Sequence, residues 1–470
     1  MQNIEKEDFA RELARFATQS TLASIGNEAI DAAKINVFDT LACAVAGSSA
    51  LGIEELRSLV RRWGGAPEAH SIVFGDALPA HHAAWINGAM SHARDYDDTH
   101  DAAALHAGVS VVPAALAAAE LSKGKASGAD FLCGVAVGLE TISRMGVATK
   151  VGIVESGYMY TPLFGHFAAT LAAARVLGLD EDTTVNALGV SYSQVAGNHQ
   201  VTRDAALTKR MQPGFSAMSA LIAVQLAQTG IRAVQNVFEG VDGFFRVYLH
   251  NRYDPARLRD GLGKHFEFTQ LSYKPYPCCR FNHAAIAAVL RLRAQHSIDP
   301  MRIAEVRVGV NRQAHEAVCT PKEIRKNPKT VVQAQFSVPF TVAAALIDGN
   351  VTLAHFTDQA FARNDIHALT QKVQPYTHEQ IEREQGRGVT PAAVEIEMQD
   401  GQVFSLRVDA PLGHPINPML PKDFEAKAQG CFEAAALPLP AQAHQILKTQ
   451  VDAIEQASDI HGLLRSSLTN

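Results

Sequence analysis

Aromatic residues are scarce in this sequence: Phe, Trp and Tyr together make up 7% of 470 residues. Surplus positive charge is lacking too, with 42 Lys+Arg against 48 Asp+Glu and a net charge of -6. Phosphate binding needs clustered positive charge, so nucleic acid is excluded as a default partner. The six cysteines (Cys43, Cys133, Cys278, Cys279, Cys319 and Cys431) have no regular spacing and form no C-x-x-C pair. Neither a disulfide scaffold nor a zinc site is indicated. The longest uncharged run, Met211 to Ile231, carries Pro213 and three glutamines, which suits a buried helix and not a membrane span. The acidic start Met1-Gln-Asn-Ile-Glu-Lys-Glu-Asp8 lacks the basic-then-apolar layout of a signal peptide, so a cytoplasmic location is expected.

Several catalytic motifs are missing as well. There is no G-x-G-x-x-G after a strand, no P-loop, no H-E-x-x-H and no G-x-S-x-G. Rossmann hydride transfer, nucleotide hydrolysis, zincin proteolysis and the hydrolase elbow are therefore disfavoured, and no organic cofactor is expected.

What is present is apolar and helical. Hydrophobic residues reach 47% and charged ones 19%, enough to bury a large interior. On a prior of roughly 150–200 residues per domain, the length suggests two. Apolar residues recur in every turn over 28–46, 80–92, 109–121, 128–145, 162–177 and 216–229, predicting helices that pack on one another. After residue 270 the period changes. Residues 305–310, 393–398 and 403–408 alternate as half-buried strands do, and Asp400-Gly401 marks a hairpin between the last two. Helical patterns return at 331–347, 421–436 and 440–457. The reading is a mainly α protein: a large, discontinuous multi-helix domain (1–270 and 411–470) plus a smaller α+β lid domain (271–410).

The densest chemistry lies between two of these helices, in Ser91-His-Ala-Arg-Asp-Tyr-Asp-Asp-Thr-His-Asp-Ala-Ala-Ala-Leu-His106. Carboxylates buried this close together must be paired, hydrogen-bonded or used. His106, at the mouth of the following helix, is the natural general base near neutral pH, and a neighbouring aspartate can orient it. The bland alternative is a solvated loop whose aspartates cap helices. Two metal readings need weighing: the calcium one fails, and the diphosphate one stays open as a minor alternative. Asp95, Asp97, Thr99 and Asp101 mimic a calcium loop, but His100 and His106 replace the required Gly and Glu. Asp97-Asp98-x-x-Asp101 has the D-D-x-x-D spacing of magnesium–diphosphate sites. Its expected companion motif is broken by Ala368 and Lys372, and the shortage of aromatics suits a carbocation cavity poorly.

Two basic segments complete the set. Arg203-Asp-Ala-Ala-Leu-Thr-Lys-Arg-Met-Gln-Pro-Gly214 places Lys209 and Arg210 at a helix entrance, a ready anion site. Tyr273-Lys-Pro-Tyr-Pro-Cys-Cys-Arg-Phe-Asn-His283 holds Lys274 and Arg280 on a proline-stiffened junction between the expected domains. Each cation taken singly could be ordinary surface charge. Together they describe a site in which cations fix a small polycarboxylate while a His/Asp pair moves a proton.

At these residues the chain resembles the MmgE/PrpD family, which includes 2-methylcitrate dehydratases, cis-aconitate decarboxylases and iminodisuccinate epimerases. The resemblance rests on Asn87-Gly-Ala-Met-Ser-His-Ala-Arg-Asp-Tyr-Asp-Asp-Thr99, His106-x-Gly108, Thr208-Lys-Arg-Met-Gln-Pro-Gly214 and Tyr273-Lys-Pro-Tyr-Pro-Cys278 with His283. Ala334-Gln-Phe-Ser-Val-Pro-Phe340 before Asp348-Gly349 extends it. It implies a homodimer and a cofactor-free site between a helical domain and a lid. Asp95, Thr99 and His106 would be catalytic, Lys209 and Lys274 would hold substrate carboxylates, and Arg203, Arg280 and Tyr160 are further substrate-binding candidates. The chain departs from the family where many members carry histidine, having Met159 and Gln212 instead; Tyr158, Tyr160 and His166 are candidates to compensate. The expected activity is a lyase of the 2-methylcitrate dehydratase type, eliminating water or carbon dioxide from a di- or tricarboxylate. An epimerase using the same proton abstraction is the alternative, and a non-catalytic carboxylate-binding homodimer is the reading from another class.

Overall fold

A computed structural model describes residues 7–385, 389, 391–460, 465 and 467–469. The expectation about a signal peptide rests largely on residues 1–6, which lie outside them.

The fold is mainly helical, with a smaller α+β part. Helix Ala80–His92 forms as expected and is a hub of the helical part. Its neighbours come unusually close because glycine faces it. A Cβ on Gly47, at the end of helix Asn27–Gly47, would lie 1.9 Å from the Met90 carbonyl oxygen. A Cβ on Gly214, in helix Thr208–Gln228, would lie 2.4 Å from the Trp85 carbonyl oxygen. Neither position tolerates a side chain without moving backbone. The Gly88–Gly214 crossing sets Lys209, in the first turn of one helix, beside His92, in the last turn of the other.

Helix Thr208–Gln228 begins well before the expected residue 216 and carries Pro213 in its interior, where the proline forgoes the backbone hydrogen bond to the Lys209 carbonyl. The expected single helix at 331–347 is two, Val331–Gln335 and Val338–Asp348. Ser337 breaks it by capping the Phe340 N–H at 3.0 Å, with Pro339 in the first turn. Residues 440–457 form helix Ala443–Asp452 and a 3-10 turn, Ile454–Gln456.

The α+β part holds a four-stranded sheet in the order Val373–Thr377, Ile303–Val310, Ala392–Met398, Val403–Val408. The first pair is parallel and the others antiparallel, the last closing through Gly401 at φ +85°. Strand Val373–Thr377 was not expected; it contains Pro375, which is tolerated because the strand lies at an edge. Helices His283–His296 and Val338–Asp348 pack on the sheet.

Two apolar clusters result. One joins side chains of Phe9 to Leu271 with those of Met419 to Leu468, and the other lies within Cys278 to Val408. One described helix, Gly128–Ala148, is long and apolar enough to cross a membrane, but 94% of its apolar window is buried inside the protein.

Candidate active site

The connection from helix Ala80–His92 to helix Gly108–Leu121 is buried almost throughout, so each of its carboxylates needs a partner. Asp98 serves the next helix, accepting the Ala107 and Gly108 N–H groups at 2.8 and 2.9 Å. For this aspartate the capping alternative is the right one. Gly108 has to be glycine: its Cβ would lie 2.3 Å from Thr40 Oγ1 and 2.8 Å from Asp98 Oδ1. Asp101 accepts Ser272 Oγ at 2.8 Å, Thr99 Oγ1 at 3.1 Å and Arg280 Nη2 at 3.0 Å, with Arg280 Nε at 3.1 Å. Backbone bonds between Thr99 and Ser272 fasten this loop to the proline-rich junction.

Asp95 takes a left-handed backbone conformation, φ +51°, which turns its carboxylate between two lysines. Lys209 Nζ lies 3.1 Å from its Oδ2 and Lys274 Nζ 2.5 Å from its Oδ1. Burial pushes the Asp95 carboxyl up, but the two ammonium groups outweigh it and hold it well below the usual range. Burial likewise opposes the charge on Lys274, and Asp95 overcomes that, leaving the amine above its ordinary value.

Asp97 is the centre of the site. Its Oδ2 lies 2.9 Å from His92 Nδ1 and 2.8 Å from His106 Nδ1, with the two rings edge to face at 4.6 Å. The far nitrogen of His92, Nε2, receives the Lys209 ammonium at 2.8 Å. An ammonium only donates, so His92 Nε2 must accept and its proton sits on Nδ1, facing Asp97. Burial and then the Lys209 charge push His92 down to about 4, which keeps it neutral in this role. Burial pushes Asp97 up, yet the two imidazoles hold it well below the carboxylate range. With Nδ1 of His106 turned to that anion, its Nε2 is the edge left for chemistry.

His106 reaches a cavity of about 90 Å³ whose wall also carries Thr99, Lys209 and Arg280. Side chains from both apolar regions close it, among them Ile153, Phe281 and Phe336. The Lys209 ammonium lies 5.1 Å from the Phe336 ring centre, a cation–π contact from one side to the other. A larger hollow of about 830 Å³, between Ile25–Ala29 and the 254–270 segment, contains none of the residues singled out from the sequence. Size favours that hollow and chemistry favours the small cavity, where cations and an oriented histidine converge.

Four of the eight candidates thus share one cavity: Thr99, His106, Lys209 and Arg280. Asp95 and Lys274 stand behind the wall, Lys274 fully buried and spent on the Asp95 carboxylate and carbonyl. Tyr160 is a core residue, its hydroxyl donating to the Val151 carbonyl and its ring stacked on Phe164. Arg203 is exposed and does not line the cavity. Of the suggested compensators, Tyr158 packs on Tyr248 and His166 is buried in the helical core; neither lines the cavity. Sequence reasoning underrated His92 and passed over His199 and Thr202, which line the cavity or its supporting network. His92 could have been found from its place in the last turn of an expected helix, immediately before the acidic loop.

The metal readings also resolve. Asp95, Asp97 and Asp101 face lysines, histidines and Arg280 respectively, so they form no common ligand shell. His92, Asp97 and His106 are the one set of three close enough to share an ion among the described residues. Their facing atoms are already at hydrogen-bond distance from each other, which suits proton transfer better than ligands held at about 2.0–2.2 Å from a metal.

Comparison with known proteins agrees with this architecture. The MmgE/PrpD N-terminal domain model matches residues 11–256 and the MmgE/PrpD C-terminal domain model residues 276–453. A cis-aconitate decarboxylase of Aspergillus terreus is 27% identical over 427 residues, covering 87% of this chain and 86% of that protein. A cis-aconitate decarboxylase-like protein of Aspergillus oryzae is 27% identical over 474 residues, covering 96% of each. The cis-aconitate decarboxylase of Homo sapiens is 25% identical over 359 residues, covering 74% of this chain and 72% of the human protein. The chain therefore belongs to the MmgE/PrpD family and is an enzyme.

Proposed function

We propose that this enzyme removes carbon dioxide from a small unsaturated tricarboxylate of the cis-aconitate kind, without an organic cofactor. The observation that carries the reading is the cavity that joins His106, backed by Asp97, to Lys209 and Arg280. Loss of carbon dioxide leaves an electron pair on carbon, which a neighbouring carboxylate can take up if its charge is neutralised. On this reading Lys209 and Arg280 supply that neutralisation, and His106 Nε2 exchanges the proton that replaces the lost group. Between elimination of water and of carbon dioxide, the names of the relatives favour the second. We place the working enzyme in the cytoplasm as a homodimer, as the sequence and the family resemblance imply; sedimentation would test the assembly.

The deciding experiment incubates the protein with cis-aconitate in heavy water and follows carbon dioxide and product mass. Release of carbon dioxide with one carbon-bound deuterium is expected. Deuterium incorporation with no loss of carbon dioxide or water would move the assignment to the epimerase alternative.

A further inference from the structure

His199 is a titratable side chain of the cavity wall that the proposed reaction leaves unused. It precedes the short helix Gln200–Arg203, and its backbone N–H donates to the Gly157 carbonyl at 2.8 Å. Two side chains from neighbouring segments hold it in place. Gln212 Nε2 donates to the Asn198 carbonyl at 3.1 Å, and Met159 Sδ lies 3.9 Å from Thr202 Oγ1. The imidazole Nδ1 is buried and has no hydrogen-bond partner among the described residues. A buried nitrogen left unpaired costs about 1–3 kcal/mol, so a ligand that pairs it gains on binding.

The charges around His199 decide what that ligand is. Lys209 comes from helix Thr208–Gln228 and Arg203 from the segment that follows His199 itself, both cationic; His106 and Arg280 share the cavity. Burial first, then Arg203 and Lys209, press the His199 imidazole below its ordinary value, so the empty site keeps it neutral near pH 7. An entering polyanion reverses that field.

We propose that His199 takes up a proton as the polycarboxylate enters and becomes a cationic partner of one of its carboxylates, alongside Lys209 and Arg280. The inference rests on the polycarboxylate reading of the cavity but not on any turnover. It makes affinity depend on pH: binding tightens as pH falls from the value of the occupied state towards that of the empty one.

Tricarballylate, a saturated tricarboxylate with no double bond, serves as the probe. Its binding to the full chain is measured by calorimetry near pH 7 in two buffers of different ionisation enthalpy. Net uptake approaching one proton is expected for the wild type. H199Q should bind more weakly by about five- to a hundred-fold and take up no proton, whereas H106Q should keep the uptake. Absence of binding, binding without proton uptake, or uptake lost in H106Q and kept in H199Q would each overturn the proposal. Failure to release carbon dioxide from cis-aconitate would instead sink the catalytic reading and leave this measurement decisive for His199.

Discussion

Asp97→Asn isolates the element on which the chemistry depends, because it keeps the shape of the side chain and removes its charge. When His106 Nε2 holds a proton the ring is cationic, and Asp97 Oδ2 lies 2.8 Å from its Nδ1. At an effective dielectric constant of about 20, unit charges at that separation attract by about 6 kcal/mol. Asparagine retains a carbonyl dipole that recovers part of this, so the net loss is about 3–5 kcal/mol in the protonated state. That corresponds to a fall of about 10² to 10⁴ in kcat. KM should change much less, since Lys209 and Arg280 remain. Asparagine also presents an N–H₂ that cannot accept from both rings, and the tautomers of His92 and His106 must readjust. The assay is steady-state release of carbon dioxide, with circular dichroism and melting temperature as the check on folding. The sign of the stability effect follows from the depressed carboxyl of Asp97. It contributes stability that is present above the ordinary carboxylate value and lost as pH falls through its folded-state value. D97N should therefore be less stable than wild type at pH 7, with the gap closing in strong acid. A folded D97N whose kcat lies within fivefold of wild type would refute the argument.

Two further outcomes follow from groups behind the cavity wall. Lys274→Met removes one cation from a wholly buried pair and leaves Asp95 to Lys209 alone; a loss of about 3–5 kcal/mol is expected in denaturant melts, and less than 1 kcal/mol would show that Lys274 is dispensable to the site. His166, pressed by burial to about 3, must stay neutral in the folded state while the unfolded chain protonates near 6.5. Its contribution is complete above pH 6.5 and lost as pH falls towards 3, by about 1.4 kcal/mol for each pH unit in between. His166→Leu should flatten that acid limb, and an unchanged limb would refute the assignment.

The sequence reveals the helix–loop–helix frame of the site because its signals are local: apolar periodicity brackets the 92–107 connection, and the basic segments lie at identifiable ends. Helix Ala80–His92 and strand Val403–Val408 keep their expected bounds for the same reason. What sequence could not give was set by distant contacts. Strand Val373–Thr377 exists because Ile303–Val310 offers it a parallel partner. Tyr160 looked available for substrate until packing used its hydroxyl on Val151 and its ring on Phe164. Lys274 and Arg203 were both read as substrate-binding cations, yet one is sealed behind the wall and the other faces solvent. His199 lies in a loop with no periodic pattern, and only the crossing of the 157–160 and 208–212 segments around it shows that it faces the cavity.

The way the site balances its charges limits how it can hold an anion. Each cation at or behind the wall already has an aspartate: Lys209 and Lys274 share Asp95, and Arg280 is clamped on Asp101. A substrate carboxylate therefore meets no idle charge. It meets donors that the aspartates do not use: the third N–H of Lys209, whose other two face Asp95 and His92, and the outer guanidinium edge of Arg280. Such donors are held in place before the ligand arrives, so little reorganisation is required when it binds. On the proposed function they also let a chain with net charge -6 select an anion: recognition is then directional and local, and depends little on a long-range attractive field that salt would screen. The aspartates thus act as supports that aim the cations, and removing one should misdirect its cation and not set it free to bind substrate more tightly.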